Sequence, residues 1–203
     1  MPTPLSEAYP LLLGSASPRR REIIASLRIP CVTLAADIDE RTEPGELPEP
    51  YLERVVTQKR LAVLARAAER RAGGVLVADT SVTLGDEILG KPADAADAEH
   101  MLARLAGTEH RVLTRYALAL PDGTVVAERT VATRVWMRNA SAEELSRYAR
   151  SGEGLDKAGA YAVQGLGAFL VERIEGSYTN VVGLPACEVV LDLRRSGLLG
   201  PYP

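Results

Sequence analysis

The chain has 203 residues, of which 46% are hydrophobic and 25% charged, a composition typical of a globular domain with a sizeable core. Its formal net charge of −3, from 24 basic and 27 acidic side chains, argues against broad nucleic-acid binding, which needs a basic surplus. No run of about 18 apolar residues occurs, and the polar N-terminus lacks a secretory signal pattern, so we predict no membrane span and a cytoplasmic protein. The two cysteines, Cys31 and Cys187, suit reduced, buried thiols better than a disulfide framework.

The first elements in the chain are predicted to be two strands around a helix. Apolar runs at Leu11–Leu13 and Cys31–Ala35 favour the strands. Between them, Ser17 is a good N-cap and Pro18 suits the first position of a helix.

An acidic, proline-rich loop from Asp37 to Pro50 comes next in the chain. A long helix is predicted at Tyr51–Ala72, ended by Gly73-Gly74. The continuous apolar run Val75–Ala78 is typical of a buried parallel strand, and we predict that this strand stops at Asp79.

The rest of the chain mixes strands and helices, which predicts an α/β domain with a mostly central sheet. Its predicted elements are a hairpin of Ser81–Leu84 with Glu87–Leu89, a helix at Ala95–Leu105, strands at His110–Leu120 and Val125–Met137, a helix from a Ser141/Glu144 capping box to about Arg150, an irregular glycine-rich segment at Gly152–Gly167, and a last helix from Pro185 to near Gly197.

Three arginines, Arg19, Arg20 and Arg21, fall in the first turn of the first predicted helix. This is the wrong sign for folding alone, because a helix N-terminus already carries about half a positive charge. A phosphate bound by the backbone N–H groups, by the Ser15 and Ser17 hydroxyls and by the guanidinium groups would resolve the conflict. The alternative is that the arginines are solvated or pair with the acidic loop.

Several other charged side chains stand where ligands bind in α/β proteins. Asp79 follows a buried strand, and carboxyl ends of strands are where open α/β sheets bind ligands, although a lone aspartate there often only caps a turn. Lys91 lies between Gly90 and a stiffening proline, and a single such lysine is usually only a surface residue. Asp39 and Glu40 offer oxygen ligands of the kind that Mg²⁺ or Mn²⁺ prefers, although acidic loops are commonly just solvated.

The segment Asp156–Gly167 is hard to explain as a simple loop. It mixes opposite charges, small residues and the amide of Gln164, which could bind a base edge through its donor and acceptor groups. The alternative is an irregular packed loop. Nucleophilic and zinc chemistry have little support, because the chain has only two histidines, and His110 is better explained as a polar residue at the start of a strand than as a base.

Taken together, five motifs in this order resemble the Maf family of nucleoside triphosphate pyrophosphatases. They are Ser15-Ala16-Ser17-Pro18-Arg19-Arg20, Ala78-Asp79-Thr80, Leu89-Gly90-Lys91-Pro92, Asp156–Gly165, and Gly176-Ser177-Tyr178 continuing through Asn180 to Pro185. The resemblance covers about residues 11–193. It implies one domain over residues 1–203 with an elongated, two-lobed α/β fold like that of inosine triphosphate pyrophosphatases (ITPase-like), with a central mixed sheet, a cleft between the lobes and often a homodimer.

The activity implied by the resemblance is hydrolysis of a nucleoside triphosphate to the monophosphate and pyrophosphate with a divalent metal, Mg²⁺ or Mn²⁺. The family's positions carry over as a catalytic Asp79, as substrate-binding Ser15, Arg20, Lys59 and Lys91, as metal ligands from Asp79 with Asp39 or Glu40, and as specificity residues Arg19, Thr80 and Gln164. The set of Arg, Thr and Gln resembles the group that acts on dTTP and UTP. The alternatives are a 7-methyl-GTP pyrophosphatase and a nucleotide-binding regulator of cell division that does not hydrolyse its ligand.

Overall fold

A computed structural model describes residues 2–67 and 70–202 of the chain. Its regular elements are strands and helices mixed along the sequence. In chain order they are β1 (Leu11–Gly14), α1 (Pro18–Ser26), β2 (Cys31–Thr33), α2 (Pro48–Ala67), β3 (Gly74–Leu84), β4 (Glu87–Leu89), α3 (Ala95–Leu105), β5 (Glu109–Ala119), β6 (Val125–Met137), α4 (Ala142–Arg150), two 3₁₀ turns (Ala158–Ala160 and Gly165–Leu170), β7 (Val171–Glu175), α5 (Tyr178–Val182) and α6 (Ala186–Arg195).

The strands form one mixed, seven-stranded sheet. Its order is β2-β1-β3-β5-β6-β7, with β4 paired to β3. Strand β1 runs parallel to both β2 and β3, whereas the β3–β4 and β6–β7 pairs are antiparallel. The prediction of an α/β fold with a central mixed sheet is therefore confirmed.

The chain divides into two compact units, each with its own hydrophobic core. The first comprises Met1–Asp79, Thr114–Val131 and Gly183–Pro203, and the second comprises Thr80–Leu113 and Ala132–Val182. The elongated shape, the cleft, the single domain over residues 1–203 and the homodimer implied by the resemblance stay predictions. Within the described residues, no helix combines the length and apolar character needed to cross a membrane.

The core of the first unit lies where α2 packs on the strands. Val56 and Val63 of the helix belong to one buried cluster with Leu12, Val75 and Val77 of the strands. A separate buried cluster in the second unit brings together side chains from α3, α4, β5 and β6. Burying these apolar surfaces is the main stabilising contribution in each unit.

Where local chemistry is strong, the predicted elements match the observed ones. Helix α3 and strand β6 have the predicted bounds, and α4 begins at the predicted capping box, in which the side chains of Ser141 and Glu144 each accept the other residue's backbone N–H. Helix α1 has Ser17 as its N-cap and Pro18 in its first turn, also as predicted.

The predicted end of the third strand at Asp79 is wrong. Strand β3 runs without a break from Gly74 to Leu84, so Asp79 lies in its middle and the predicted separate strand Ser81–Leu84 is its second half. The strand continues through a carboxylate because Asp79 is paired with a buried lysine in the tertiary structure, as described below.

The predicted bounds of the second helix also need correction. Helix α2 begins at Pro48, three residues before the predicted start, and residues 70–72 are not helical, while residues 68 and 69 lie outside the described part. Ala72 packs in the first unit's core, and the Gly73 N–H donates to the Pro10 carbonyl at 3.1 Å. These contacts lead the chain into β3 instead of continuing the helix. Strand β2 ends two residues early, and β7 and α5 were not predicted.

The cysteines are both free thiols, but only one is partly buried. Burial raises the pKa of Cys31 to about 11. The expectation of a buried thiol is wrong for Cys187, which is exposed because it lies on the face of α6 opposite the buried residues Val189 and Leu193.

Candidate functional site

The first unit contains a buried cluster of charged side chains centred on Asp79. The Lys59 ammonium lies 2.7 Å from Asp79 Oδ1 and 3.0 Å from Glu40 Oε1. Lys59 and Asp79 are 5% and 6% exposed, whereas the Glu40 side chain is 46% exposed. A buried charge needs a partner of opposite sign, and here each of the two buried groups supplies that partner for the other.

Lys59 reaches this position because α2 presents it on the helix face that packs inward. The buried residues Leu52, Val55, Val56 and Val63 recur at helical spacing, and Lys59 stands in the same stripe. A lysine in an otherwise apolar stripe is a signal that the sequence contains. Lys59 was nevertheless predicted as a site residue only from the family resemblance.

Glu40 is held in place from α2, through its backbone and that of the next residue. The Tyr51 hydroxyl donates to the Glu40 carbonyl at 3.0 Å, and Arg54 Nη2 donates to the Arg41 carbonyl at 3.0 Å. Arg54 is itself fixed by Glu46, 2.6 Å away. The acidic loop is therefore ordered by the helix that also carries Lys59, and this directs the Glu40 carboxylate toward the ammonium.

Asp39 is placed differently from its neighbour Glu40. Its carboxylate is exposed and paired with Arg41, whose Nη2 lies 2.6 Å from Oδ2. Hydrogen bonds from Arg41 lower the pKa of Asp39 to about 2. The sequence did not decide whether Asp39 or Glu40 joins Asp79. In the structure it is Glu40 that contacts Lys59, which also contacts Asp79.

Arg20 joins the same cluster from α1. Its Nε donates to the Gly183 carbonyl at 2.7 Å and its Nη1 to Ser15 Oγ at 3.2 Å, and its side chain is buried. Burial lowers the pKa of Arg20, and the charges of Asp79 and Glu40 oppose that shift. The guanidinium is thus held rigidly in the electrostatic field of the two carboxylates.

The three arginines in the first turn of α1 have different environments. Arg20 points inward, Arg21 is exposed and Arg19 is partly exposed. Ser15, named from the sequence as a binding residue, is buried and accepts a hydrogen bond from the Ser17 N–H as well as from Arg20. Gly183 was not predicted as a site residue, although it stands in one of the family motifs. Its carbonyl fixes Arg20, which lies 163 residues earlier in the chain.

In the second unit, the structure describes the other three predicted residues. Thr80 directly follows Asp79 in β3 and is partly exposed, while Lys91 and Gln164 are exposed. Within that unit, a backbone hydrogen bond joins the motifs that contain Lys91 and Gln164.

This hydrogen bond joins the backbone next to Lys91 to the glycine-rich segment. The Gly159 N–H donates to the Gly90 carbonyl at 3.0 Å. Gly159 has a φ of +70°, and a Cβ there would lie 2.9 Å from Val82 Cγ1, so only glycine fits at this position. The loop that carries Lys91 is therefore supported by backbone packing and not only by its proline.

A family model described as Maf-like protein matches residues 10–196, most of the chain. The chain belongs to the Maf-like family. A relative from Myxococcus xanthus, named dTTP/UTP pyrophosphatase, is 52% identical over 95% of this chain and 95% of its own. One with the same name from Hahella chejuensis is 48% identical over 93% of this chain and 92% of its own. Among solved structures, the Staphylococcus aureus Ham1 protein matches 92% of this chain and 98% of its own with a TM-score of 0.48 and 10% identity, too low to support a conclusion.

The carboxylates of this Maf-like chain fit a divalent cation in one particular way. Within residues 2–67 and 70–202, no group of three or more His, Cys, Asp or Glu side chains is arranged to hold a metal ion. Glu40 and Asp79 nevertheless converge on one cation, the Lys59 ammonium, which engages one oxygen of each. Two carboxylates suit Mg²⁺ or Mn²⁺, because Mg²⁺ is usually bound by one or two carboxylates, with waters and substrate phosphates completing the shell.

His110 is buried in the second unit, where its Nε2 lies 2.7 Å from the Tyr161 hydroxyl. Burial lowers the pKa of His110 to about 4, so the imidazole is neutral at physiological pH. The residue packs near the start of β5 and contacts the segment that leads to Gln164, which agrees with a role in packing.

Proposed function

We propose that this Maf-like chain hydrolyses dTTP and UTP between the α- and β-phosphates, releasing the nucleoside monophosphate and pyrophosphate. The observation that carries the proposal is the buried cluster in which the Lys59 ammonium contacts both Asp79 and Glu40, with Arg20 in the electrostatic field of the two carboxylates. Two fixed cations and two carboxylates in one unit suit a reaction that depends on charge neutralisation and positioning more than on covalent catalysis.

The choice of substrate is supported by the relatives and by three residues. Both relatives described above carry the name dTTP/UTP pyrophosphatase. Arg19, Thr80 and Gln164 are the residues that the family resemblance associates with this group. We infer that these three side chains distinguish the pyrimidine nucleotides from other triphosphates.

In the reaction, a water oxygen forms a bond to the α-phosphorus while the bond to the bridging oxygen breaks, and pyrophosphate leaves. Asp79 orients this water and accepts its proton. Arg20, held by Ser15 and the Gly183 carbonyl, offers a guanidinium to phosphate oxygens, and the Ser17-capped N-terminus of α1 adds backbone N–H donors. By the family resemblance, Lys91 is a further cation that binds phosphate.

A divalent metal, Mg²⁺ or Mn²⁺, fits the proposal with Glu40 and Asp79 as its protein ligands. When bound, such an ion supplies charge neutralisation and lowers the pKa of a coordinated water. Lys59 keeps the two carboxylates together by contacting one oxygen of each, which leaves the geometry of the pair defined before substrate binds.

The test is pyrophosphate release by the purified protein from dTTP, UTP, CTP, GTP and 7-methyl-GTP, with Mg²⁺ and with Mn²⁺. We expect dTTP and UTP to be hydrolysed ahead of the others. A preference for 7-methyl-GTP would overturn the substrate assignment and keep the reaction. Nucleotide binding without pyrophosphate release under either metal would contradict the enzyme and favour a binding regulator.

A further inference from the structure

The loop that carries Gln164 is built around one carboxylate that the proposed reaction does not use. Glu153 Oε1 accepts the Leu166 N–H at 2.8 Å, and its Oε2 accepts the Gly167 N–H at 2.7 Å. The Tyr148 hydroxyl donates to Oε2 at 2.9 Å. A side chain thus occupies the position where two successive backbone N–H groups would bind an anion.

Tyr148 also holds the backbone on the N-terminal side of Gln164. The same hydroxyl that donates to Glu153 accepts the Ala162 N–H at 3.1 Å, and Tyr148 itself is buried in α4. The backbone is therefore held two residues before Gln164 and again two and three residues after it.

Two glycines make room for this arrangement. Gly165 has a φ of +64°, and a Cβ there would lie 2.2 Å from Glu153 Oε1. A Cβ on Gly167 would lie 2.6 Å from the Tyr148 hydroxyl oxygen. The glycines in this motif, which from sequence suggested a close approach to a ligand, permit the close approach of Glu153 and Tyr148.

The electrostatics of the contact favour the charged form of Glu153. Burial would raise its pKa, but the hydrogen bonds from Gly167, Leu166 and Tyr148 together lower it. An ionised carboxylate forms stronger hydrogen bonds to N–H donors than a neutral acceptor does, so the loop is held firmly at neutral pH.

The far end of the loop is anchored as well. Arg138 Nε donates to the Phe169 carbonyl at 2.9 Å, and the guanidinium lies 4.9 Å from the centre of the Phe169 ring. Between the two anchors, the side chain of Gln164 is exposed. The contacts described above hold the backbone of the loop while its amide side chain faces solvent.

We infer that Glu153 is a positioning residue that fixes the loop of residues 161–167 and thereby sets the base selectivity exerted by Gln164. The inference rests on the proposed function, because it assigns Glu153 a part in choosing among nucleotides. Glu153 acts through the loop conformation and not by touching the reacting atoms. Its loss should therefore alter which nucleotide is preferred more than how fast the bound nucleotide is hydrolysed.

The experiment compares Glu153→Gln with wild type in kcat and KM for dTTP, UTP and CTP. The amide presents N–H groups where one oxygen accepted a backbone N–H, so the loop loses a hydrogen bond with little change in volume. We expect the ratio of kcat/KM for dTTP over CTP to fall about tenfold, mainly through KM, with kcat changing much less. Glu143→Gln is the matched control, because Glu143 is an exposed α4 glutamate paired with Arg147.

A double-mutant cycle separates positioning from a general structural defect. If Glu153 acts through Gln164, the variant carrying both Glu153→Gln and Gln164→Ala should lose no more selectivity than Gln164→Ala alone. Independent, additive losses would overturn the inference. So would unchanged selectivity in Glu153→Gln when Gln164→Ala has lost it, and in that case the proposed function still stands.

A second variant and a second measurement keep the inference testable. Tyr148→Phe retains the carboxylate but removes one of its donors and the acceptor of the Ala162 N–H, so selectivity should change in the same direction by less. Faster amide hydrogen exchange confined to residues 162–167 should accompany the change in both variants. If Glu153→Gln does not fold, unchanged selectivity in Tyr148→Phe overturns the inference. A wild-type protein that releases no pyrophosphate overturns the proposed function and this inference with it.

Discussion

Two aspartates are buried in the first unit, and they are satisfied in opposite ways. Asp192 on α6 is 3% exposed and accepts from the Tyr116 hydroxyl at 2.7 Å, from Arg129 at 2.6 and 2.9 Å, and from Arg195 at 3.2 Å. Asp79 on β3 is 6% exposed and contacts the Lys59 ammonium, which it shares with Glu40. Both carboxylates are buried, but only one lies among groups suited to chemistry.

The difference indicates how a structural carboxylate can be told from the one that we propose is catalytic. Each oxygen of Asp192 accepts two hydrogen bonds, including a bidentate pair from a planar guanidinium, so its hydrogen-bonding capacity is filled by the fold. An ammonium is a compact point charge that engages one oxygen of Asp79, and other cations can compete for the same position. We therefore expect Asp79 to matter for turnover and Asp192 for stability.

The largest effect should come from Asp79→Asn. The change keeps the volume but removes the negative charge and the proton acceptor, so pyrophosphate release should fall by roughly 10²–10⁴-fold. Nucleotide binding, measured by calorimetry, should survive. The change leaves Glu40 as the remaining carboxylate partner of the buried Lys59, so turnover is compared at a temperature where the variant is fully folded. Near wild-type turnover would remove Asp79 from the mechanism, and Asp192→Asn serves as the matched buried control.

The second-largest effect should come from Glu40, and its neighbour Asp39 provides the comparison. Glu40→Gln removes the second carboxylate at Lys59 and should lower kcat/KM by roughly 10–100-fold, with a higher metal concentration needed for half-maximal rate. Asp39→Asn breaks only an exposed ion pair with Arg41 and should stay within about twofold of wild type. Both variants are measured by steady-state kinetics against metal concentration. A larger loss in Asp39→Asn than in Glu40→Gln would show that the contact of Glu40 with Lys59 is not the functional one.

Asp192→Asn should destabilise the fold and spare the chemistry. The change removes the negative charge from a buried ion pair. The asparagine oxygen can still accept hydrogen bonds, and the side chain of Arg129 is 44% exposed. We therefore expect a loss of about 2 kcal/mol in the free energy of unfolding. That corresponds to a fall in Tm of about 4–8 °C, measurable by calorimetry. The folded fraction should keep wild-type kcat, and a large drop in kcat with an unchanged Tm would reverse the comparison between the two aspartates.

The smallest effect is the acid sensitivity that Asp192 contributes. Burial would raise its pKa, but hydrogen bonds from Arg129 and Tyr116 lower it below the usual value of 3.8. A carboxylate with a lowered folded-state pKa stabilises the fold above its unfolded pKa, and that stabilisation is lost as pH falls through the folded value. Urea unfolding below about pH 4 should therefore depend less steeply on pH in Asp192→Asn than in wild type. Equal slopes would show that Asp192 does not titrate with unfolding.

Elements specified by nearby residues were predicted well from the sequence. The Ser141/Glu144 capping box forms within one turn of helix, and Ser17 caps α1 in the same local way. Strand β3 was predicted too short because Asp79 is an unfavourable residue for a buried strand by its own chemistry. What makes it favourable is Lys59, 20 residues earlier in the chain.

In the candidate site too, the sequence predicted some residues, whereas others depend on contacts between distant segments. The sequence named Asp79, Arg20 and both Asp39 and Glu40, but nothing local separates the last two, since they are adjacent carboxylates in one loop. Their difference comes from Tyr51, which holds the Glu40 backbone against α2. Glu153 was missed because its partners are backbone N–H groups 13 and 14 residues away, which have no signature in the sequence.

The sequence by itself determined the α/β alternation, the helix caps, the motifs of the Maf-like family and the residue types that phosphate chemistry needs. Only the tertiary structure decided which carboxylate joins Asp79, how Arg20 is held by Gly183, and which glutamate supports the loop of Gln164. The physical reason is range. Caps and hydrophobic periodicity act over a few residues and are encoded locally. The pairing of buried charges depends on contacts between distant segments, which exist only after the core has brought those segments together.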